Sequence, residues 1–169
     1  MPAKRPELIA YSGVKELYEA FERLFLRGGN ASAEHESSCG CTVKIFDHHF
    51  FHMVKLCDPQ KPQPLVMAIE KEIIRNTHQG FANYTHDRQR GIHLASAALA
   101  MVAPDEVWMS PALHTEDVAF IKLFDTTPYN CTIFLAKFGD NEGEVLPVTS
   151  YRGRSRDIRK YCRGTKIYP

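Results

Sequence analysis

Three groups of side chains have types and spacings suited to phosphate chemistry. His86, Arg90 and His93 are four and three residues apart, so a helix puts all three on one face, with Arg88 off that face but nearby. A guanidinium supplies a fixed charge for phosphate oxygens, and imidazole moves protons near neutral pH. The plainer reading of this spacing is the polar outer face of an amphipathic helix that turns Ile92, Ala95, Leu99 and Val102 inward. His48, His49 and His52 form the second group. His49 and His52 share a helical face by spacing, and His52 stands among Phe50, Phe51 and Met53, which predicts partial burial. Such a histidine often only satisfies a backbone group, yet an apolar surround also makes its pKa tunable for general-base work. Thr149-Ser150-Tyr151-Arg152 is the third group. Hydroxyls and a guanidinium at a sheet edge hold a phosphate, and Tyr stacks on a base, although Thr149 and Tyr151 are also ordinary β-formers.

Metal-free RNA cleavage needs a base for the 2′-hydroxyl, an acid for the 5′-oxygen and cations on the phosphate. The three groups offer those types. Other enzyme signatures are missing: the chain has no Gly-rich phosphate loop, no Gly-x-Ser-x-Gly elbow and no His-Glu-x-x-His. Its acids do not cluster as magnesium ligands, so neither a metal nor another cofactor is expected.

Charge points the same way. The net charge of +1 is a sum of two unlike parts. Ser150 to Pro169 holds five Arg and two Lys against Asp157 alone, or +6, while the first 149 residues hold 14 basic and 19 acidic side chains, or −5. A basic end on a mildly acidic body is either a solvated tail or a phosphate-binding surface.

These groups need a scaffold. The chain has 169 residues with 44% hydrophobic, 11% aromatic and 24% charged, a globular composition that excludes disorder and collagen-like repeats. The longest low-polarity run, Leu94 to Ala103, is about half of what spans a bilayer, and the start does not resemble a signal peptide. The expectation is therefore a cytoplasmic site of action without membrane association, or delivery without a signal peptide. Residues 12 to 27 read as an amphipathic helix capped by Ser12 and ended at Gly28, and residues 28 to 42 as a mobile loop. Thr42 to Phe46 is a strand, and the next ten residues run into a short helical piece. Asp58 to Pro64 is a loop, Leu65 to Arg75 a helix, and Asp87 to Val102 a second helix ended before Pro104. Strands follow at Glu106–Met109, Tyr129–Phe138 and Glu144–Tyr151; Asp117 to Phe124 fits strand or helix. Arg154 to Cys162 suits a short basic helix, and Lys166 to Tyr168 a last strand. Helices followed by a run of strands make a single α+β domain with an antiparallel sheet: residues 1–42 form an N-terminal helix and loop, residues 43–169 the core.

Five cysteines without a leader point to reduced thiols. Cys39-Gly40-Cys41 has the wrong spacing for a zinc knuckle and lacks a second paired motif, although His35, His48, His49 and His52 lie close in sequence.

Several of these segments resemble one family. Phe50-Phe51-His52-Met53-Val54-Lys55-Leu56 is similar to the Phe-x-His-Leu segment of the phage barnase, EndoU, colicin and RelE-like (PBECR) nucleases, with Met53 where the family has Leu. Arg90 with Leu94, followed by Pro104-Asp105-Glu106-Val107-Trp108, resembles their Arg helix and Pro-Asp-Glu-Ile/Val-Trp strand. Val148-Thr149-Ser150-Tyr151 resembles their terminal Thr-Ser strand. The likeness runs from about residue 43 to the C-terminus; the Cys39–Cys41 loop and the basic end have no counterpart.

The resemblance implies N-terminal helices packed on a roughly four-stranded antiparallel sheet, with strands near Glu106–Met109, Ala119–Phe124, Cys131–Phe138 and Val145–Ser150. It implies a metal-independent endoribonuclease, a bacterial or phage toxin domain whose partners are RNA and a proteinaceous inhibitor. His52 matches the family His, Arg90 the helix Arg, and Thr149 or Ser150 the last-strand hydroxyl. Spacing adds His86 or His93 as a second proton carrier, and Arg88, Tyr151, Arg152 and Arg154 as substrate-binding residues. The alternative is a non-catalytic RNA- or protein-binding module on the same scaffold. An ADP-ribosyltransferase fits less well, because Glu142 and Glu144 sit at a turn.

Overall fold

The computed structural model describes residues 2–28, 30–56, 84–109 and 117–169. Along the chain these form α1 (Val14–Phe21) with a π-helical turn (Glu22–Leu26), β1 (Ser32–Glu36), β2 (Thr42–Phe46) and α2 (His49–Met53). Then come α3 (Arg88–Ile92), α4 (Leu94–Val102), β3 (Glu106–Met109), β4 (Val118–Leu123), β5 (Cys131–Phe138), β6 (Glu144–Gly153), α5 (Ser155–Tyr161) and β7 (Thr165–Tyr168). The loop expected over 58–64, the helix expected over 65–75 and Cys57 lie outside the described residues.

The expectation of a roughly four-stranded antiparallel sheet is overturned. The sheet has seven strands in the order β1-β2-β6-β5-β4-β3-β7, and it is mixed. The expected strands are its antiparallel centre, β6-β5-β4-β3. β2 adds to β6 in parallel through Thr42 opposite Glu144 and Val43 opposite Val145, β1 extends it antiparallel, and β7 pairs with β3. The loop expected over residues 28 to 42 contains β1. Its Ser, Ala and Glu carry little strand propensity, but a full ladder with β2 and the burial of His35 hold it. Exposed Glu34 and Glu36 charge this outer strand, which disfavours further pairing.

Apolar layers cover both faces of the sheet. On one side α1, α2 and α4 bury Leu17, Phe21, Phe50, Leu94 and Met101 against Phe120 and Phe134, whose rings meet edge to face with centroids 5.8 Å apart. On the other side, Tyr161 and Ile158 of α5 pack on Ile121, Ile133 and Leu135. The N-terminal helix starts after Gly13, not on a Ser12 side-chain cap; the Ser12 backbone N–H donates to the Glu16 carboxylate at 3.2 Å. Its π-helical turn leaves Phe25 and Leu26 fully buried, and left-handed Arg27 and Gly28 end it.

The helix expected from Asp87 to Val102 breaks at His93 into α3 and α4. The break shifts the helical phase. Leu94, Ala97, Ala100 and Met101 turn inward, whereas Ile92, Ala95, Leu99 and Val102 are only partly covered. His93 itself is buried, not part of a polar outer face. Among the described residues no helix is long and apolar enough to cross a membrane.

Candidate functional site

Asp87 starts the construction of the site. Its carboxylate caps α3 by accepting from the backbone N–H groups of Gln89 and Arg90. Its own N–H donates to the carbonyl of Val54, just past α2. Arg90 is thereby fixed beside the end of α2. Its Nη1 donates to the carbonyl of His52 at 3.2 Å and to the hydroxyl of Thr149 on β6 at 2.9 Å. Three segments far apart in the sequence meet at one guanidinium.

β6 is open here for a topological reason. β2 pairs with it only at Glu144 and Val145, so the later part of β6 has an edge that α2 and α3 approach. The register with β5 also shifts between Leu135 and Ala136, leaving Val148 as an extra residue just before Thr149. Bulges of this kind re-aim a side chain.

The guanidinium is only partly used. The two protons of Nη1 account for the bonds to His52 and Thr149. Among the described residues no bond is made by Nε or Nη2, whose N–H groups form the parallel fork that suits two phosphate oxygens. Thr149 accepts from Arg90, which leaves its own O–H to donate elsewhere.

The imidazoles sort by environment. His52 is exposed, contrary to the partial burial its apolar neighbours predict, because α2 turns Phe50, Phe51 and Met53 inward and His52 outward. The inward histidine is His49, whose Nδ1 accepts from the backbone N–H of Phe46 at 2.9 Å. Burial, aided by the charges of His48, His52 and Lys137, pushes its pKa down to about 3. His86 precedes α3, and its ring lies against Gly91: a Cβ there would stand 3.2 Å from the ring. Burial lowers its pKa, with Asp87 opposing. His86, Arg88 and Gly91 line a cleft of about 280 Å³ with Ala10, Tyr11 and Ile92.

His93 belongs to a second cluster, centred on Arg5, which the sequence reading missed. Arg5 Nη1 lies 3.1 Å from His93 Nδ1, and since a guanidinium only donates, that nitrogen is the acceptor and Nε2 carries the proton. Arg5 also donates to the Tyr129 carbonyl at 3.0 Å and the Thr126 hydroxyl at 3.1 Å, and lies 4.4 Å from the centre of the Phe124 ring. Burial, then the charges of Arg5 and Arg152, push the pKa of His93 down to about 4. A single arginine near an N-terminus carries no periodic signal that would have revealed it.

The basic end begins beside this cluster. Arg152 lies 3.7 Å and Arg154 4.7 Å from the centre of the Tyr129 ring, and Arg154 donates to the Tyr129 hydroxyl at 3.1 Å. That bond and the two positive charges lower the phenol's pKa. Ser150 and Arg152 sit opposite Phe134 and Thr132 on the α4 side of the sheet. Tyr151 alternates to the other side, where it packs 5.9 Å from Tyr161. The structure thus joins Arg90, Thr149 and the His52 backbone, places His86 and Arg88 together at a cleft that none of those three lines, and puts Tyr151 on the opposite face from Arg152. Tyr129, not Tyr151, is the aromatic among the arginines. It was missed because it precedes β5 and reads as part of that strand.

Neither a family model, nor a curated protein, nor a solved structure matches the chain.

Proposed function

We propose that the protein is a metal-independent endoribonuclease, with structured RNA such as tRNA as substrate. The observation that carries the reading is the anchored Arg90 fork, bonded at once to the His52 segment and to Thr149. A guanidinium fixed through one nitrogen presents its remaining N–H pair at low entropic cost, and a phosphodiester has two oxygens in the matching geometry. In this reading Nε and Nη2 of Arg90 hold the non-bridging oxygens and stabilise the charge that builds on the pentacoordinate phosphorus. Thr149 donates its hydroxyl proton to one of them.

The 2′-hydroxyl attacks phosphorus while an imidazole takes its proton. The bond from phosphorus to the 5′-oxygen breaks, and that oxygen takes a proton from a second imidazole, leaving a 2′,3′-cyclic phosphate. His52, exposed beside Arg90, is one proton carrier. His86, whose ring lies against Gly91 in the cleft that Arg88 also lines, is the other proton carrier in this reading. His93 is a positioning group here: its Nδ1 is held by Arg5. Arg152, Arg154 and Tyr129 bind the flanking RNA, and Arg88 lines the cleft. The likeness to the PBECR segments supports the reading through residues of the site, since the small antiparallel sheet it implied is not the one found. A toxin role, with an inhibitor protein protecting the producing cell, follows from the same likeness.

One observation favours a second reading, a non-catalytic RNA-binding module: Tyr129, with Arg152 over its ring and Arg154 on its hydroxyl, sets an aromatic among positive charges, which holds a nucleic-acid strand without chemistry. RNA incubated with the protein in excess EDTA separates the two. Cleavage by the wild type that is lost in His52→Ala supports the nuclease; binding without cleavage by the wild type supports the module.

A further inference from the structure

The turn between β1 and β2 holds two thiols together. Cys39 Sγ and Cys41 Sγ lie 3.2 Å apart, within hydrogen-bond distance. The backbone imposes this closeness. Gly40, between them, has φ +93 in the left-handed region, and a Cβ there would meet nothing within 4 Å, so the position calls for Gly by conformation and not by space. Ser37 N–H donates to the Cys41 carbonyl at 2.9 Å and Gly40 N–H to the Ser37 carbonyl at 2.9 Å. Ser38 N–H ties the turn to the end of α4 by donating to the Val102 carbonyl. Both cysteines are half-buried against the main core.

The two thiols differ. The hydrogen bond from Cys41 lowers the pKa of Cys39 to about 6 despite its partial burial, and Ser37 Oγ, 3.3 Å from its sulfur, adds to the effect. The same bond raises that of Cys41, which keeps its proton. The proton shared between the two sulfurs, with the Ser37 hydroxyl 3.3 Å from the Cys39 sulfur, favours Cys39 as the nucleophile and Cys41 as the resolving group. Among the described residues no group of three His, Cys, Asp or Glu is placed to hold a metal ion, and the Nε2 of His35 is committed to the Phe25 carbonyl at 2.6 Å.

We propose that Cys39 and Cys41 form a reversible dithiol–disulfide site oxidised by hydroperoxides. The Cys39 thiolate attacks the terminal peroxide oxygen and the O–O bond breaks. The departing oxygen leaves as water or alcohol after taking a proton from solvent, and Cys39 becomes a sulfenic acid. Cys41 sulfur then attacks the sulfenic sulfur, the S–O bond breaks, and hydroxide leaves as water with the Cys41 proton. One peroxide is reduced and two thiols are oxidised. The disulfide closes a loop of three residues, so it gains little from chain entropy, and two equivalents of a small thiol reverse it.

Hydrogen peroxide added to the full-length protein, followed by thiol blocking and tryptic mass mapping, tests the site. The peptide spanning residues 28–44 carries only these two cysteines. It is expected to lose two hydrogens and take up no blocking reagent, and to regain both thiols with glutathione. In Cys41→Ser the sulfenic acid has no partner and is expected to form a dimedone adduct at Cys39, whereas Cys39→Ser gives none at Cys41. At pH 6, Cys39 is expected to be alkylated at least about tenfold faster than Cys162, its larger thiolate fraction outweighing its lower nucleophilicity. Peroxide oxidation of Cys131 or Cys162 before this peptide changes, or a Cys41→Ser protein without a Cys39 adduct, overturns the proposal.

Discussion

The Thr149 hydroxyl accepts from Arg90 Nη1 at 2.9 Å, joining the strand that leads into the basic end to the helix that leads into the core. The bond orients both partners. It holds the guanidinium so that Nε and Nη2, which bond nothing among the described residues, are presented, and it turns the hydroxyl's own proton away from Arg90.

Removing that hydroxyl therefore tests orientation apart from charge. Thr149→Val keeps shape and β-propensity but leaves one Nη1 proton without its acceptor. Single-turnover RNA cleavage is expected to fall about tenfold, the equivalent of one hydrogen bond. Thr149→Ser restores most of it. An unchanged rate in Thr149→Val would remove Thr149 from the mechanism.

Acid sensitivity follows from the two buried imidazoles. His93 has a folded pKa of about 4 and His49 of about 3, both below the ordinary value of 6.5. Between pH 6.5 and those values the unfolded chain binds protons that the folded chain refuses. The stabilisation is complete above about 6.5 and is lost as the pH falls through about 4 for His93 and about 3 for His49. The His93 shift corresponds to on the order of 3 kcal/mol at most. Urea midpoints measured from pH 7 to pH 4 are expected to decline. His49→Asn keeps an acceptor for the Phe46 N–H and is expected to flatten the decline; Arg5→Ala, which removes a charge facing His93, also flattens it.

The basic end is expected to govern salt dependence. Arg152→Gln and Arg154→Gln should each reduce the slope of log binding constant against log salt by about one, without changing which RNA is preferred. Tyr129→Ala should weaken binding by about 1–3 kcal/mol through lost stacking. Nitrocellulose-filter titrations across salt concentrations measure both. A slope unaltered in the double arginine variant would mean that the RNA lies elsewhere.

Lys55, two residues past α2, has φ 52 in the left-handed region and is exposed. Lys55→Gly removes the Cβ crowding and is expected to stabilise the fold by about 1 kcal/mol; Lys55→Val is expected to destabilise it. Urea denaturation reads both directly.

Much of the scaffold was legible where the pattern is local. Bulky alternation marked Cys131–Phe138, and the three-and-four spacing of Val14, Leu17 and Phe21 marked the first helix. β1 was not legible, because its Ser, Ala and Glu read as loop until β2 supplies the ladder. The parallel join of β2 to β6 links residues about a hundred apart, and no local period encodes it. The burial of His93 escaped for a similar reason: its partner Arg5 lies 88 residues away in the sequence. Arg90 and Thr149 were found separately, one by helical spacing and one at a strand end. That one bonds the other depends on the bulge beside Val148.

The most direct test of the central claim is single-turnover cleavage of RNA in excess EDTA by the wild type and by Arg90→Ala, with matched thermal unfolding curves. The account predicts cleavage by the wild type to 2′,3′-cyclic phosphate ends and a loss of about 10²-fold or more in Arg90→Ala, since the group facing the developing charge is gone. An intact RNA with the wild type, or equal rates for the two folded proteins, would contradict it.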